Sequence, residues 1–227
     1  MKKALKYLII SLLFFATFST ADAARRRGRI PELDAMSEKE LITSVEVGKQ
    51  SDLVRAFQTK EATRLFNGPY NPKTTGANVE TYRNKEVIIV TIPTDRLFGP
   101  NDVELKAGAE QLLAPLKRYM KAESEDMYRL LMVMHTDNTG SEAYTDKLSL
   151  DRAEAVFNWF NENGCDTDYL FMRARGASEP NSLSGTVTDI LKANDTYEKR
   201  ADNRRLEIFL IPGKRMVDAA KRGRIAF

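Results

Sequence analysis

YRLLMVMHTDNTGSEAYTDKLSLDRAEAV, residues 128–156, changes its period in the middle. Tyr128–Met134 is an unbroken apolar run of strand length, and Thr136–Gly140 is a polar turn. From Glu142 the apolar residues recur at helical spacing until Gly164, with Ser141 placed to cap the first turn. On a wheel of about 100° per residue, Tyr144, Leu148, Ala155, Val156 and Trp159 share one arc. Lys147, Glu154 and Asn158 lie opposite. Arg152 falls inside the apolar arc, four residues from Leu148 and from Val156. A guanidinium there requires an anionic partner or a polar pocket, because burying a bare charge costs several kcal/mol. Asp137, at the strand's exit, is the nearest candidate. The two residues form either a structural ion pair or the ends of a pocket for a zwitterion. In the second case aspartate meets an ammonium and arginine a carboxylate.

The flanking segments extend the pattern. Glu86–Ile92 reads as a buried strand. Leu105, Ala109, Leu112, Leu113, Leu116 and Met120 give one helix face. Glu142–Asn163 is the second helix, Tyr169–Ala174 a third strand and Arg204–Ile211 a last one. Alternation along that last strand puts Arg204 on the face of Leu206, Ile208 and Leu210, and Arg205 and Glu207 on the solvated one. Arg204 thus repeats the anomaly of Arg152. The class is α+β, a mixed sheet with helices on one face. Ahead of it, Ser37-Glu38-Lys39-Glu40 fits a capping box, and residues 37–66 read as one or two short amphipathic helices. They are too interrupted for a core of their own and are expected to pack on the main domain or on a partner.

The first residues read as a secretory signal peptide, 1–23: Lys2, Lys3 and Lys6, then apolar Tyr7–Phe18, then Ala21-Asp22-Ala23. Residues 24–85 form an N-terminal basic and helical segment, 86–212 the main domain, and 213–227 a basic, mobile tail. The 227 residues carry a net charge of +3, reduced to +1 without residues 1–23, which excludes a global nucleic-acid footprint. One cysteine (Cys165) and one histidine (His135) exclude a disulfide framework and a usual zinc site. No cofactor is implied.

Three separated blocks resemble one known family. They are Thr136-Asp137 with Leu148-Ser149, Arg152-Ala153 and Val156; NDTYEKRADNRRLEIFLI (194–211); and DRLFGPNDVELKAGAEQLL (95–113). Together they resemble the OmpA-like C-terminal domains, which include peptidoglycan-associated lipoproteins and flagellar stator proteins. The resemblance implies a βαβαββ two-layer sandwich, preceded here by short N-terminal helices. It also implies non-covalent binding of peptidoglycan in the periplasm of a Gram-negative-type bacterium, tethering an outer-membrane or periplasmic assembly to the wall. Asp137 and Arg152 match the residues that hold diaminopimelate in that family, and Thr136 and Arg204 match further contributors. Thr145 stands where the family often has asparagine, Lys199 where it has glycine, and residues 182–193 resemble an insertion. A protein partner is expected through residues 24–85.

Two other classes compete. A hydrolase would need His135, Asp137 and Ser141 or Ser149 as a triad, yet His135 has side-chain parity opposite to Thr136 and no nucleophile elbow is present. His135 is instead expected to be structural and satisfied by hydrogen bonds. The same fold could also serve as a protein-interaction module with the Asp137/Arg152 pair purely structural. The non-enzymatic, wall-binding reading is the one the residues favour.

Overall fold

The computed structural model describes residues 30–121, 126–181 and 192–225. The signal-peptide reading, the arginine run that follows it and nearly all of the 182–193 insertion lie outside these residues. The strands are β1 (Asn78–Tyr82), β2 (Val87–Pro93), β3 (Tyr128–His135), β4 (Leu170–Gly176) and β5 (Arg205–Pro212). They form one mixed sheet in the order β1-β2-β5-β3-β4. Only β3 and β4 run parallel; β5 is antiparallel to both β2 and β3. That topology decides where a site can form. Since β2 and β3 both oppose β5, their C-terminal ends and the start of β5 meet at one edge. Pro93 pairs with Arg205 there, and Met134 with Leu206.

Alternation in β2, β3 and β5 sends Ile88, Val90, Ile92, Leu130, Met132, Met134, Leu206, Ile208 and Leu210 into the larger core. Over it lie α3 (Ser51–Asn67), α5 (Glu110–Leu113), α6 (Glu142–Glu162) and α8 (Lys214–Lys221). The expected long helix through Leu116 is short. Pro115 supplies no N–H, and the chain tightens into a 3-10 segment, Ala114–Tyr119, that still buries Leu116. In α6 the Ser141 side chain accepts from the Tyr144 N–H, and Gly164, at φ +74°, follows the end.

The opposite face is covered too, which the one-sided expectation omitted. Helices α1 (Pro31–Asp34) and α2 (Glu38–Ile42) place Leu33 and Leu41 against Val87, Leu131, Val133, Phe171 and Ile211. The capping box at Ser37 and Glu40 starts α2 as expected. Arginines of the sheet hold this cover. Arg173 donates to the carbonyls of Asp34 and Met36 (2.9 and 2.6 Å), and Arg175 to the Glu38 carboxylate. On the first face Gln58 of α3 donates to the carbonyls of Glu86 and Leu210 and accepts from the Tyr128 hydroxyl. The segment before residue 86 therefore packs on the main domain, and it also contributes β1 to the sheet.

Two further expectations need correction. The stretch after Pro212 forms helix α8, with Met216, Val217 and Ala220 buried in the larger core, so it is no mobile tail. Its apolar residues recur at helical spacing, and its cations occupy the other side. Arg205 and Glu207 are not solvated either. Arg205 is buried and Glu207 half-buried, and Arg205 Nε donates to Glu207 at 2.7 Å. Burial raises the Glu207 carboxyl, but His135 and Arg205 outweigh it and hold it at about 2.

Candidate functional site

Helix α6 lies close to the sheet because small residues face inward: Ser149 and Ala153 are buried with Thr145, Arg152, Val156 and Phe160. This buried arc is rotated from the one drawn on the wheel, since Tyr144 is exposed. Ser149 Oγ accepts the N–H of Gly176 at 3.0 Å. A Cβ built on Gly176, whose φ is +49°, would stand 2.2 Å from an Asp146 carboxylate oxygen. Only glycine ends β4 at this approach.

At the edge where β2, β3 and β5 meet, a cavity of about 430 Å³ opens. Thr136, Asp137, Thr145, Arg152 and Arg204, all five anticipated residues, line it together with Asp95 and Phe98. Their pairing differs from the simplest expectation. Asp137 is answered by Arg204, whose Nη1 donates to Oδ2 at 2.7 Å. Its other oxygen accepts from the Thr139 N–H at 2.8 Å. Burial would push the Asp137 carboxyl up, but Arg204 and Thr139 outweigh it and hold it below the usual carboxylate range. Arg204 also forks onto Asp95, with both contacts between 2.7 and 2.8 Å.

Arg152 makes no ion pair among the described residues, so the structural Asp137–Arg152 pair is not formed. Its Nε donates to the carbonyl of Asp102 at 2.8 Å and its Nη2 to that of Gly99 at 3.1 Å. The guanidinium lies over the Phe98 ring, 5.0 Å from its centre. The residue is only 4% exposed. Burial lowers its pKa against the pull of Asp95 and Asp102, yet a guanidinium remains charged at any physiological pH. Of its five N–H groups two are committed to carbonyls. The hydroxyl of Thr136 is also buried on this cavity, with no hydrogen-bond partner among the described residues. The Thr145 hydroxyl donates back to the Glu142 carbonyl, so it shapes the wall and holds its proton within the helix.

Sequence reasoning missed Asp95 and Phe98 as parts of the site. The DRLFGP stretch was legible as a family block, but nothing in it distinguished a pairing aspartate from a surface one. The triad is not assembled. Ser141 caps α6, and Ser149 Oγ donates to the Asp146 carbonyl. Neither nitrogen of His135 has a hydrogen-bond partner among the described residues, which also corrects the expectation that hydrogen bonds satisfy it. Its Nε2 stands 3.4 Å from Glu207, on the other side of the sheet from the cavity.

Comparison with known proteins agrees with this architecture. The model of the OmpA family matches residues 97–193. Outer membrane protein A of Bordetella avium is 29% identical over 126 residues, 56% of this chain and 59% of that protein. The outer-membrane lipoprotein YfiB of Pseudomonas aeruginosa is 36% identical over 114 residues, 50% of this chain and 61% of that protein. The chain thus spans about three fifths of the length of these curated relatives. Among solved structures, a MotB-like protein from Desulfovibrio vulgaris superimposes with a TM-score of 0.56 at 24% identity. It covers 72% of this chain and 95% of that one. The cell wall anchor of the T6SS from Pseudomonas aeruginosa gives 0.52 at 24% identity, over 66% and 96%. These two likenesses are ones of fold. Residues 97–193 match the OmpA family, and the chain carries an OmpA-like domain there.

Proposed function

We propose that the protein binds peptidoglycan non-covalently, through the free zwitterionic end of diaminopimelate in the stem peptide, and holds an envelope assembly at the cell wall. One observation supports this above the others: Arg152 is a buried cation with no carboxylate partner among the described residues, in the same cavity as a fixed aspartate. A buried charge without a counterion costs several kcal/mol, a cost relieved when a ligand carboxylate supplies the counterion. Asp137 keeps accepting capacity on both oxygens for the ligand's ammonium, and the Thr136 hydroxyl is free to join. The chemistry is binding and positioning, with no bond made or broken.

The relatives fit that reading. One neighbour in fold is a cell wall anchor, and one relative is an outer-membrane lipoprotein. Together with the leader read from residues 1–23, they support a location in the periplasm at the wall. A protein partner reached through residues 24–85 would meet α3, on which Leu53 and Phe66 are exposed. Co-sedimentation with isolated sacculi tests the proposal. The protein is expected to pellet with sacculi in moderate salt, and Asp137→Ala or Arg152→Met to remain in the supernatant while folded. Pelleting of both variants like the parent would refute the assignment of the cavity.

A further inference from the structure

A second cavity, of about 400 Å³, adjoins the first, and Lys106 lines both. Arg96, next in the chain to Asp95 of the first cavity, lines the second with Thr74, Thr75 and Gln111. No aspartate or glutamate is among its lining residues. Arg96 Nε donates to the Thr75 carbonyl at 2.9 Å and Nη2 to the Thr74 carbonyl at 3.2 Å. The Lys106 ammonium donates to the backbone carbonyl of Asp95. Neither cation has an ion-pair partner among the described residues. Asp95, the nearest acid in sequence, is taken by Arg204. Two solvent-exposed cations, of which Lys106 is shared by both cavities, are thus held in place by carbonyls. Thr74, Thr75 and Arg96 lie outside residues 97–193, so much of the second cavity's wall comes from the segment preceding the family match.

We infer that this second cavity is an anion subsite that takes a carboxylate of the same ligand, beyond its zwitterionic end. The inference rests on the proposed reading of the first cavity. In a stem peptide the residue joined to diaminopimelate is a γ-linked glutamate, whose α-carboxylate is free unless amidated. Because Lys106 lines both cavities, a ligand seated on Asp137 and Arg152 that leaves the first on that side would bring this carboxylate to Arg96 and Lys106. The subsite makes the protein discriminate between acidic and amidated stem peptides, a specificity the first cavity alone lacks.

Calorimetric titration of the full mature chain with three probes tests this. The probes are free meso-diaminopimelate, the tripeptide Ala-γ-Glu-diaminopimelate, and the same tripeptide with its glutamate α-carboxyl amidated. The acidic tripeptide is expected to bind about tenfold tighter than the amide, the worth of one charge-assisted contact. Arg96→Gln is expected to bring the two tripeptides within about twofold of each other, a difference of about 0.4 kcal/mol, and to leave free diaminopimelate unchanged. Arg96→Lys, which keeps the charge, is expected to retain most of the preference. Equal binding of acid and amide by the parent would overturn the subsite, as would a preference that survives Arg96→Gln. Failure of all three probes to bind the parent would instead overturn the reading of the first cavity, and the subsite with it.

Discussion

Arg152 and Asp137 share a cavity without touching as an ion pair, and that separation has a measurable consequence. A guanidinium buried against Phe98 with only carbonyl acceptors costs stability in the free protein, so removing its charge costs little. Arg152→Met keeps much of the packing volume. Its melting temperature is expected to stay within about 4 °C of the parent, equivalent to about 1 kcal/mol or less, while sacculus binding is lost. A drop several times larger would mean that the arginine is a structural staple. Thr136→Val is a second check. Its hydroxyl has no partner among the described residues, so the variant should be no less stable, yet should bind diaminopimelate several-fold more weakly. The arginine's anomaly was legible in sequence, since i±4 apolar neighbours bracket it. Its partners were not. Asp102 and Gly99 contribute carbonyls, and a carbonyl acceptor has no residue signature.

Among the elements, α6 and β4 set the geometry of the site through Ser149 and Gly176. Ser149→Ala leaves the Gly176 N–H buried without its acceptor and should cost about 1–3 kcal/mol by denaturant titration. Ligand affinity should fall as well, because Arg152 follows on the next turn. Helix α6 and strands β2 to β5 could be read from the chain because periodicity, a serine cap and terminal glycine agreed. Strand β1 could not. NVETY has a single buried residue, Val79, and sits on the sheet edge, where alternation is weak. Its turn into β2 uses Arg83, Asn84 and Lys85 at φ 50–68°, with no glycine to announce it. Helix α8 was hidden by charge: the five cations of GKRMVDAAKRGR mask an apolar face of Met216, Val217 and Ala220. Met216→Ala tests that correction. It should cost about 2–5 kcal/mol, as for a buried core side chain, where a mobile tail would cost nothing.

At the scale of the whole molecule, the sheet is covered on both faces by segments that precede and follow the family match. On the second face the ion pair of Arg205 and Glu207 links fold stability to acid. Glu207 has its folded pKa at about 2, below the ordinary 4.5. Its contribution is therefore fully present above pH 4.5 and is lost as pH falls toward 2. Glu207→Gln should be less stable than the parent at pH 6, and the gap should close through that window in pH-dependent melting curves. The surroundings of Arg205 and Glu207 were illegible because alternation reports which face a residue takes and not what lies over it; Arg205 also donates to the Glu179 carbonyl, beyond the end of β4.

The central claim is that one cavity recognises an ammonium and a carboxylate together. Titrating the protein with meso-diaminopimelate, cadaverine and pimelate at equal concentration tests it most directly. The account predicts saturable binding of diaminopimelate at one site, with the diamine and the diacid each at least about tenfold weaker, equivalent to 1.4 kcal/mol. Equal binding of all three, or binding of diaminopimelate that persists in Arg152→Met and Asp137→Ala, would contradict it.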